Sequence, residues 1–301
     1  MRHPGHRSGI QLSYIDVAER AQYEDNEGKS TLIMNTSMKV TICSDRPLLT
    51  GCGLKNFNYQ VDTYVGCEHY CYYCYVLGQA ETDWSKEILI HDKMADRLSR
   101  DLEGISPQTI YMGYHADPYQ PCEVAFKQTR IALECLLSAN CSASLLTKSD
   151  LFVRDIDLLE KMEDAAVSVS VAFVEDDVRT RFEANTISTD KRIAALAELK
   201  RVGIKTGALI CPVIPHITDV RSLIESLEPV ADQIWVYAFS AIDREEQSWK
   251  NTHQILQEHY PDQVGQIEHI IFSKQHDYWK QLRGDLATLK EERNLSLNIH
   301  V

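Results

Sequence analysis

From about residue 60 onward, short apolar runs alternate with amphipathic stretches, the mark of βαβ units and a parallel sheet. The runs predict strands at 61–66, ending on Gly66, then at Thr109–Tyr114, 142–147, Ala166–Val171, 204–211 and Gln233–Ala238, with a last strand at 295–300. Between them the pattern predicts helices at about 85–103, 123–139, 151–162 and 189–202. Val124, Ile131 and Cys135 form one stripe of the second, Asp150 stands at the N-cap position of the third, and Gly203 follows the fourth as its C′ residue. Two more helices are predicted near 244–260 and 275–293.

Six consecutive βα units make an α/β chain that fits a partial (β/α)6 TIM-like barrel better than an open doubly wound sheet. The expected organisation is an N-terminal extension over 1–55, a barrel over 56–240, and C-terminal helices with a final strand packed on it over 241–301. In such barrels the chemistry gathers at the C-terminal ends of the strands. The first 35 or so residues are polar and without steady period.

Charge and cysteine content narrow the class of function. A net charge of −13 disfavours indiscriminate binding to duplex nucleic acid, which calls for a basic footprint. The start, Met1-Arg2-His3-Pro4-Gly5-His6, lacks the apolar core of a secretory signal, and no apolar run is long enough to span a bilayer. The expected compartment is the cytoplasm, with no membrane partner. Nine cysteines, an odd number, then read as reduced thiols or metal ligands and not as disulfides.

Three of them stand together in Gly66-Cys67-Glu68-His69-Tyr70-Cys71-Tyr72-Tyr73-Cys74-Tyr75, directly after the first predicted barrel strand. The spacing C-x3-C-x2-C lets one short loop wrap a face of a cubic iron–sulfur cluster. Three ligands leave one iron open to chelate a small molecule. A structural zinc site is the competing reading, but it wants four ligands and commonly draws them from two separated pairs. A plain electron-transfer cluster would need a fourth cysteine at suitable spacing.

The motif, with an aromatic at Tyr73 before the last cysteine, resembles the radical S-adenosylmethionine (SAM) superfamily. A finer similarity is to spore photoproduct lyase-like proteins. It rests on the cysteine segment, Ala116-Asp117-Pro118-Tyr119-Gln120-Pro121-Cys122-Glu123, Thr147-Lys148-Ser149, Arg154–Leu159 and Cys211-Pro212-Val213-Ile214-Pro215. The resemblance implies a 4Fe-4S cluster on Cys67, Cys71 and Cys74, SAM as second cofactor, reductive formation of a 5′-deoxyadenosyl radical, and an electron donor such as ferredoxin or flavodoxin.

It also implies roles for individual residues. Tyr73 packs near the adenine, Gly113 and Asp117 approach the methionine end, Lys148 pairs with the cofactor carboxylate, and Ser170 hydrogen-bonds the cofactor. Glu183 and Arg192 match a recurring pair, either binding ribose or pairing with each other, although the usual proline-rich stretch between them is Ala184–Thr189 here. In the spore enzyme a cysteine near the end of strand two returns a hydrogen atom to product; aligning the loops through Asp117 puts Tyr114 near that place. Tyr75 and Cys211, the latter at the end of strand five, are further candidates for hydrogen-atom chemistry. Cys135 and Cys141 read as core. The ranking that follows is a radical enzyme of unknown substrate, then a DNA photoproduct lyase, then a non-catalytic metal-binding protein.

Overall fold

The computed structural model describes residues 38–301, so the polar stretch up to about residue 35 lies outside it. The strands are β1 (Lys39–Cys43), β2 (Leu49–Gly51), β3 (Tyr59–Val61), β4 (Tyr64–Val65), β5 (Glu87–His91), β6 (Thr109–Met112), β7 (Ser142–Thr147), β8 (Ala166–Val171), β9 (Lys205–Val213), β10 (Gln233–Ala238) and β11 (Leu297–His300). The helices are α1 (Met94–Asp101), α2 (Glu123–Phe126), α3 (Gln128–Ser138), α4 (Ile156–Leu159), α5 (Asp176–Phe182), α6 (Thr189–Arg201), α7 (Val220–Leu227), α8 (Gln247–His259), α9 (Val264–Ile271) and α10 (Asp277–Arg293).

Eight strands form the main sheet in the order β11-β10-β9-β8-β7-β6-β3-β2, every pairing parallel except β2 with β3. Strands β3 and β6 to β10 are the six expected barrel strands, taken in chain order, and β2 and β11 remain as separate edges. The fold is therefore a partial barrel, left open. Sequential neighbours joined through helices are what right-handed βαβ crossovers produce.

Alternation sorts the two faces. Ile110, Leu145, Val167, Val169, Ala208 and Val236 turn outward into the principal core with α3, α6, α7 and α10. The opposite, concave face carries Gln60, Tyr111 and Ser144, which pair in register, and Ser168, Gly207 and Trp235, the first two of which pair in register. Gly207 is required there: a Cβ would meet Ser168 Oγ at 2.4 Å and the Trp235 ring at 2.9 Å. A second core, built on Phe173, Phe182, Phe239, Trp249 and Leu256, joins α8 and α9 to the loops at the C-terminal strand ends and takes in Tyr72 and Tyr73.

Several expected elements differ. The run at 61–66 breaks at Asp62-Thr63: β3 belongs to the main sheet, whereas β4 joins a small sheet of order β1-β5-β4. The expected helix at 85–103 begins as strand β5, because Glu87–His91 pairs with β1 on one side and β4 on the other. The helix at 123–139 is split by Lys127, which adopts a left-handed conformation. Residues 151–162 hold only a 3-10 turn and the single turn α4, and Asp150 makes no side-chain cap there. Among the described residues, no helix is long and apolar enough to cross a membrane.

Candidate functional site

The three cysteines leave β4 at Gly66, whose φ of +97° suits glycine, and the loop turns again through a left-handed Tyr70. Cys74 N–H donates to Cys71 O at 2.9 Å, and a 3-10 turn, Tyr75–Gln79, then carries the chain away against α8. Cys71 is buried; Cys67 and Cys74 are half-buried. Burial pushes all three thiols above their ordinary value, while Lys148 draws Cys71 and Cys74 back down. Left to themselves these thiols stay protonated; a bound cation removes the proton.

A cluster fits this donor set. Three soft ligands come from one eight-residue segment with a lysine beside them, in a loop held by the chain. Among the described residues, no three His, Cys, Asp or Glu side chains converge closely enough to hold a single metal ion. A cubane takes each thiolate on a different iron, so its three ligands stand further apart than those of a single ion.

The other predicted residues fall into three groups. Lys148, Ser170, Tyr73, Glu183 and Arg192 meet at the ends of β7 and β8. Lys148 Nζ donates to Ser170 Oγ at 2.6 Å and lies 5.6 Å from the Tyr73 ring centre. Glu183 and Arg192 pair with each other at 2.7 Å, both side chains fully buried. Arg192 also donates to Ser170 O and Thr186 Oγ1, and Tyr73 OH donates to the Glu183 carboxylate. Burial raises the Glu183 carboxyl, but Arg192, Lys148 and Tyr73 outweigh it and hold it at about 2. Burial lowers Lys148, but Glu183 and Cys71 turn the balance, so it sits above its ordinary value.

Asp117 forms the second group, and the chain already saturates it. One carboxylate oxygen accepts from Thr147 Oγ1 at 2.6 Å and Tyr119 N–H at 2.8 Å; the other accepts from Lys148 N–H at 2.7 Å and stands 3.3 Å from His69 Nε2. Burial works against its charge, yet these partners hold its carboxyl at about 2. Gly113 makes its close approach to the next strand: at φ +103°, an added Cβ would lie 2.3 Å from Leu146 O.

Tyr75 and Tyr114 form the third group, where Tyr75 is exposed; Cys211 lies on β9, with Lys148 and Glu183 among its charged neighbours. Tyr75 OH donates to Tyr114 O at 2.7 Å, with the rings edge to face. Cys211 ends the concave face of β9, with its thiol pushed up to about 11 by burial, Lys148 acting against this.

Some residues of this end have no role assigned from the sequence, although Gln120 lies within the segment Ala116–Glu123. Asp62 accepts from His115 Nδ1 at 2.7 Å and from Gln60 Nε2 at 3.0 Å, while its carbonyl accepts from His91 Nε2. Gln120 and Asn185 grip the cysteine loop from two other strand ends. Their signal was faint, since apart from Gln60 to Asp62 these bonds join positions 29 to 117 residues apart.

Comparison with known proteins agrees with this geometry. The Radical SAM superfamily description matches residues 61–227, more than half of the chain. An uncharacterised protein of Methanocaldococcus jannaschii is 29% identical over 201 residues, covering 65% of this chain and 76% of that protein. An uncharacterised protein of Mycobacterium tuberculosis is 26% identical over 183 residues, 57% of this chain and about half (54%) of that one. A Pseudomonas phage M6 protein named radical SAM Nalpha-GlyT isomerase is 26% identical over 132 residues, 43% of this chain and 28% of the phage protein. Among solved structures, a spore photoproduct lyase variant with bound AdoMet and dinucleoside spore photoproduct superposes with a TM-score of 0.60 at 14% identity, covering 86% of this chain and 81% of that one. With the cysteine loop at the head of an open barrel of this form and the match running from the last residue of β3 through β9 to the end of α7, the chain belongs to the radical SAM superfamily.

Proposed function

We propose that the chain is a radical SAM enzyme in which Cys67, Cys71 and Cys74 hold a 4Fe-4S cluster with one iron free for SAM. The observation that carries this is the cysteine loop itself, three thiols on one segment at the C-terminal end of a partial barrel with Lys148 close to two of them. When bound, the cluster supplies the electron that cleaves SAM to methionine and a 5′-deoxyadenosyl radical.

The chain's own part is to bind, orient and exclude water. Lys148, anchored on Ser170, presents a cation suited to the SAM carboxylate. The buried Glu183–Arg192 pair holds Tyr73 by its hydroxyl, so that its ring is fixed beside Lys148 for the adenine. Gly113 and Asp117 shape the loop at the methionine end, Asp117 through its bonds to Thr147 and Lys148 N–H. The substrate lies against the concave face, between Tyr75 and Tyr114 on one side and Cys211 on the other, and Cys211 and Tyr114 are the groups from which a hydrogen atom is drawn or returned. Substrate class is left open, because fold and cofactor do not fix it. Photoproduct repair is the second reading; the fold likeness favours it, and Tyr114 in place of a thiol weighs against it. Nine free cysteines suit a reducing compartment such as the cytoplasm, with a ferredoxin or flavodoxin as donor.

The test is anaerobic reconstitution with iron and sulfide, then SAM and a strong reductant, reading 5′-deoxyadenosine. The parent forms it and Cys71→Ala does not. No product from the parent, or equal product from the variant, overturns the reading.

A further inference from the structure

Gln120 is wholly buried, and its side-chain amide forms two bonds to the cysteine loop. Nε2 donates to Gly66 O at 3.0 Å and Oε1 accepts from Glu68 N–H at 2.8 Å. The amide thus acts as a strand-like partner on both sides of Cys67, fixing the backbone that aims that thiol. Asn185 adds to this one step further on: its side-chain Nδ2 donates to Glu68 O at 3.0 Å, and its backbone carbonyl accepts from His69 Nδ1 at 3.0 Å. Phe182 O accepts from Tyr72 N–H at 3.0 Å.

Gln120 lies in the loop after β6 and Asn185 in the loop after α5, so the grip comes from two different βα units. Every one of these bonds joins the loop to protein groups. None of them needs a metal to form, and together they span Gly66 to Tyr72.

We propose that Gln120 and Asn185 are positioning residues that hold the cysteine loop in its ligating shape before the cluster arrives and keep the free iron correctly presented to SAM afterwards. This rests on the radical SAM reading for its second half only; the first half concerns the cluster-free chain.

The experiment uses the full chain, with Gln120→Leu, Asn185→Ala and Gln120→Glu, the last keeping an acceptor for Glu68 N–H while losing the donor to Gly66. Amide hydrogen exchange of the cluster-free protein is followed by mass spectrometry. In Gln120→Leu and Asn185→Ala, segment 66–72 is expected to exchange roughly tenfold faster, the effect of about 1.4 kcal/mol of lost local stability, while β7 to β9 are unchanged. Gln120→Glu falls between these and the parent. After reconstitution, cluster loss to a chelator speeds by roughly tenfold as well, and the change that SAM causes in the reduced cluster's paramagnetic resonance spectrum weakens or disappears. Parent-like exchange and cluster lifetime in both Gln120→Leu and Asn185→Ala overturn the proposal. So does uniform acceleration across the sheet in both, which would make these residues ordinary contributors to folding. If the parent takes up no iron, the radical reading fails, and the exchange measurement still decides the loop's preorganisation.

Discussion

Replacing Glu183 with Gln removes the anion that Arg192 and Lys148 share, leaving buried cations against a neutral amide. Arg192 is fully buried and keeps bonds to Ser170 O, Ile187 O and Thr186 Oγ1, so its guanidinium cannot swing out to water. Breaking a buried ion pair by removing one partner costs about 3–5 kcal/mol. The carboxyl points the same way, since Arg192 and Lys148 hold it below its ordinary value despite its burial. The sign is that of a depressed acid: this stability is present above pH 4.5 and is lost as pH falls through about 2. Denaturant melts of Glu183→Gln at neutral pH should show the loss, and its acid limb below pH 4.5 should be flatter than the parent's. Adding Arg192→Met to Glu183→Gln removes the orphaned charge, so the double variant should be more stable than the two single costs predict, by about 1–3 kcal/mol. A Glu183→Gln protein within about 1 kcal/mol of the parent, or strictly additive variants, would refute the assignment of this pair as an interdependent buried unit.

Gly113→Ala combines a left-handed backbone with a Cβ 2.3 Å from Leu146 O, and should cost about 3 kcal/mol or more, read in the same denaturant melts; a parent-like midpoint would show that the β6–β7 junction yields. At the mouth, Asp62 holds the His115 imidazole above its ordinary value of 6.5 through their hydrogen bond. Asp62→Asn should bring that titration, followed by NMR, back toward 6.5, and an unmoved titration would sink the pairing. Because the folded value is raised, the pair's stabilisation is present below 6.5 and is lost as pH rises through the folded value; with His115 42% exposed it amounts to about 0.2–1 kcal/mol.

Strands β8 and β10 were legible because Ala166–Val171 and Gln233–Ala238 are short runs rich in β-branched, aromatic and other apolar residues between amphipathic stretches. The cysteine loop was legible for a different reason: its three cysteines are neighbours in sequence, so their spacing is a geometric statement. The continuous run at 61–66 concealed the change of sheet at Asp62-Thr63. That change is made by partners, β6 for one half and β5 for the other, which lie far along the chain. Glu87–His91 likewise reads as part of an amphipathic helix until β1 and β4 supply hydrogen bonds on both edges.

The same division runs through the site. By itself the sequence determined an α/β chain of successive βα units and the C-x3-C-x2-C segment after the first of its strands, since periodicity and short-range spacing are local properties of the chain; the strand pairing decided that the sheet is an open partial barrel. It placed Glu183 and Arg192 nine residues apart; the structure pairs them at 2.7 Å with both side chains fully buried, where neither charge is stable alone. Only the tertiary structure showed that Asp117 is saturated by Thr147, Tyr119 and Lys148, that Gln120 and Asn185 hold the loop, and that His115 leans on Asp62. Hydrogen bonds between residues distant in sequence leave no periodic trace, and they become specified only when the sheet brings the strand ends together.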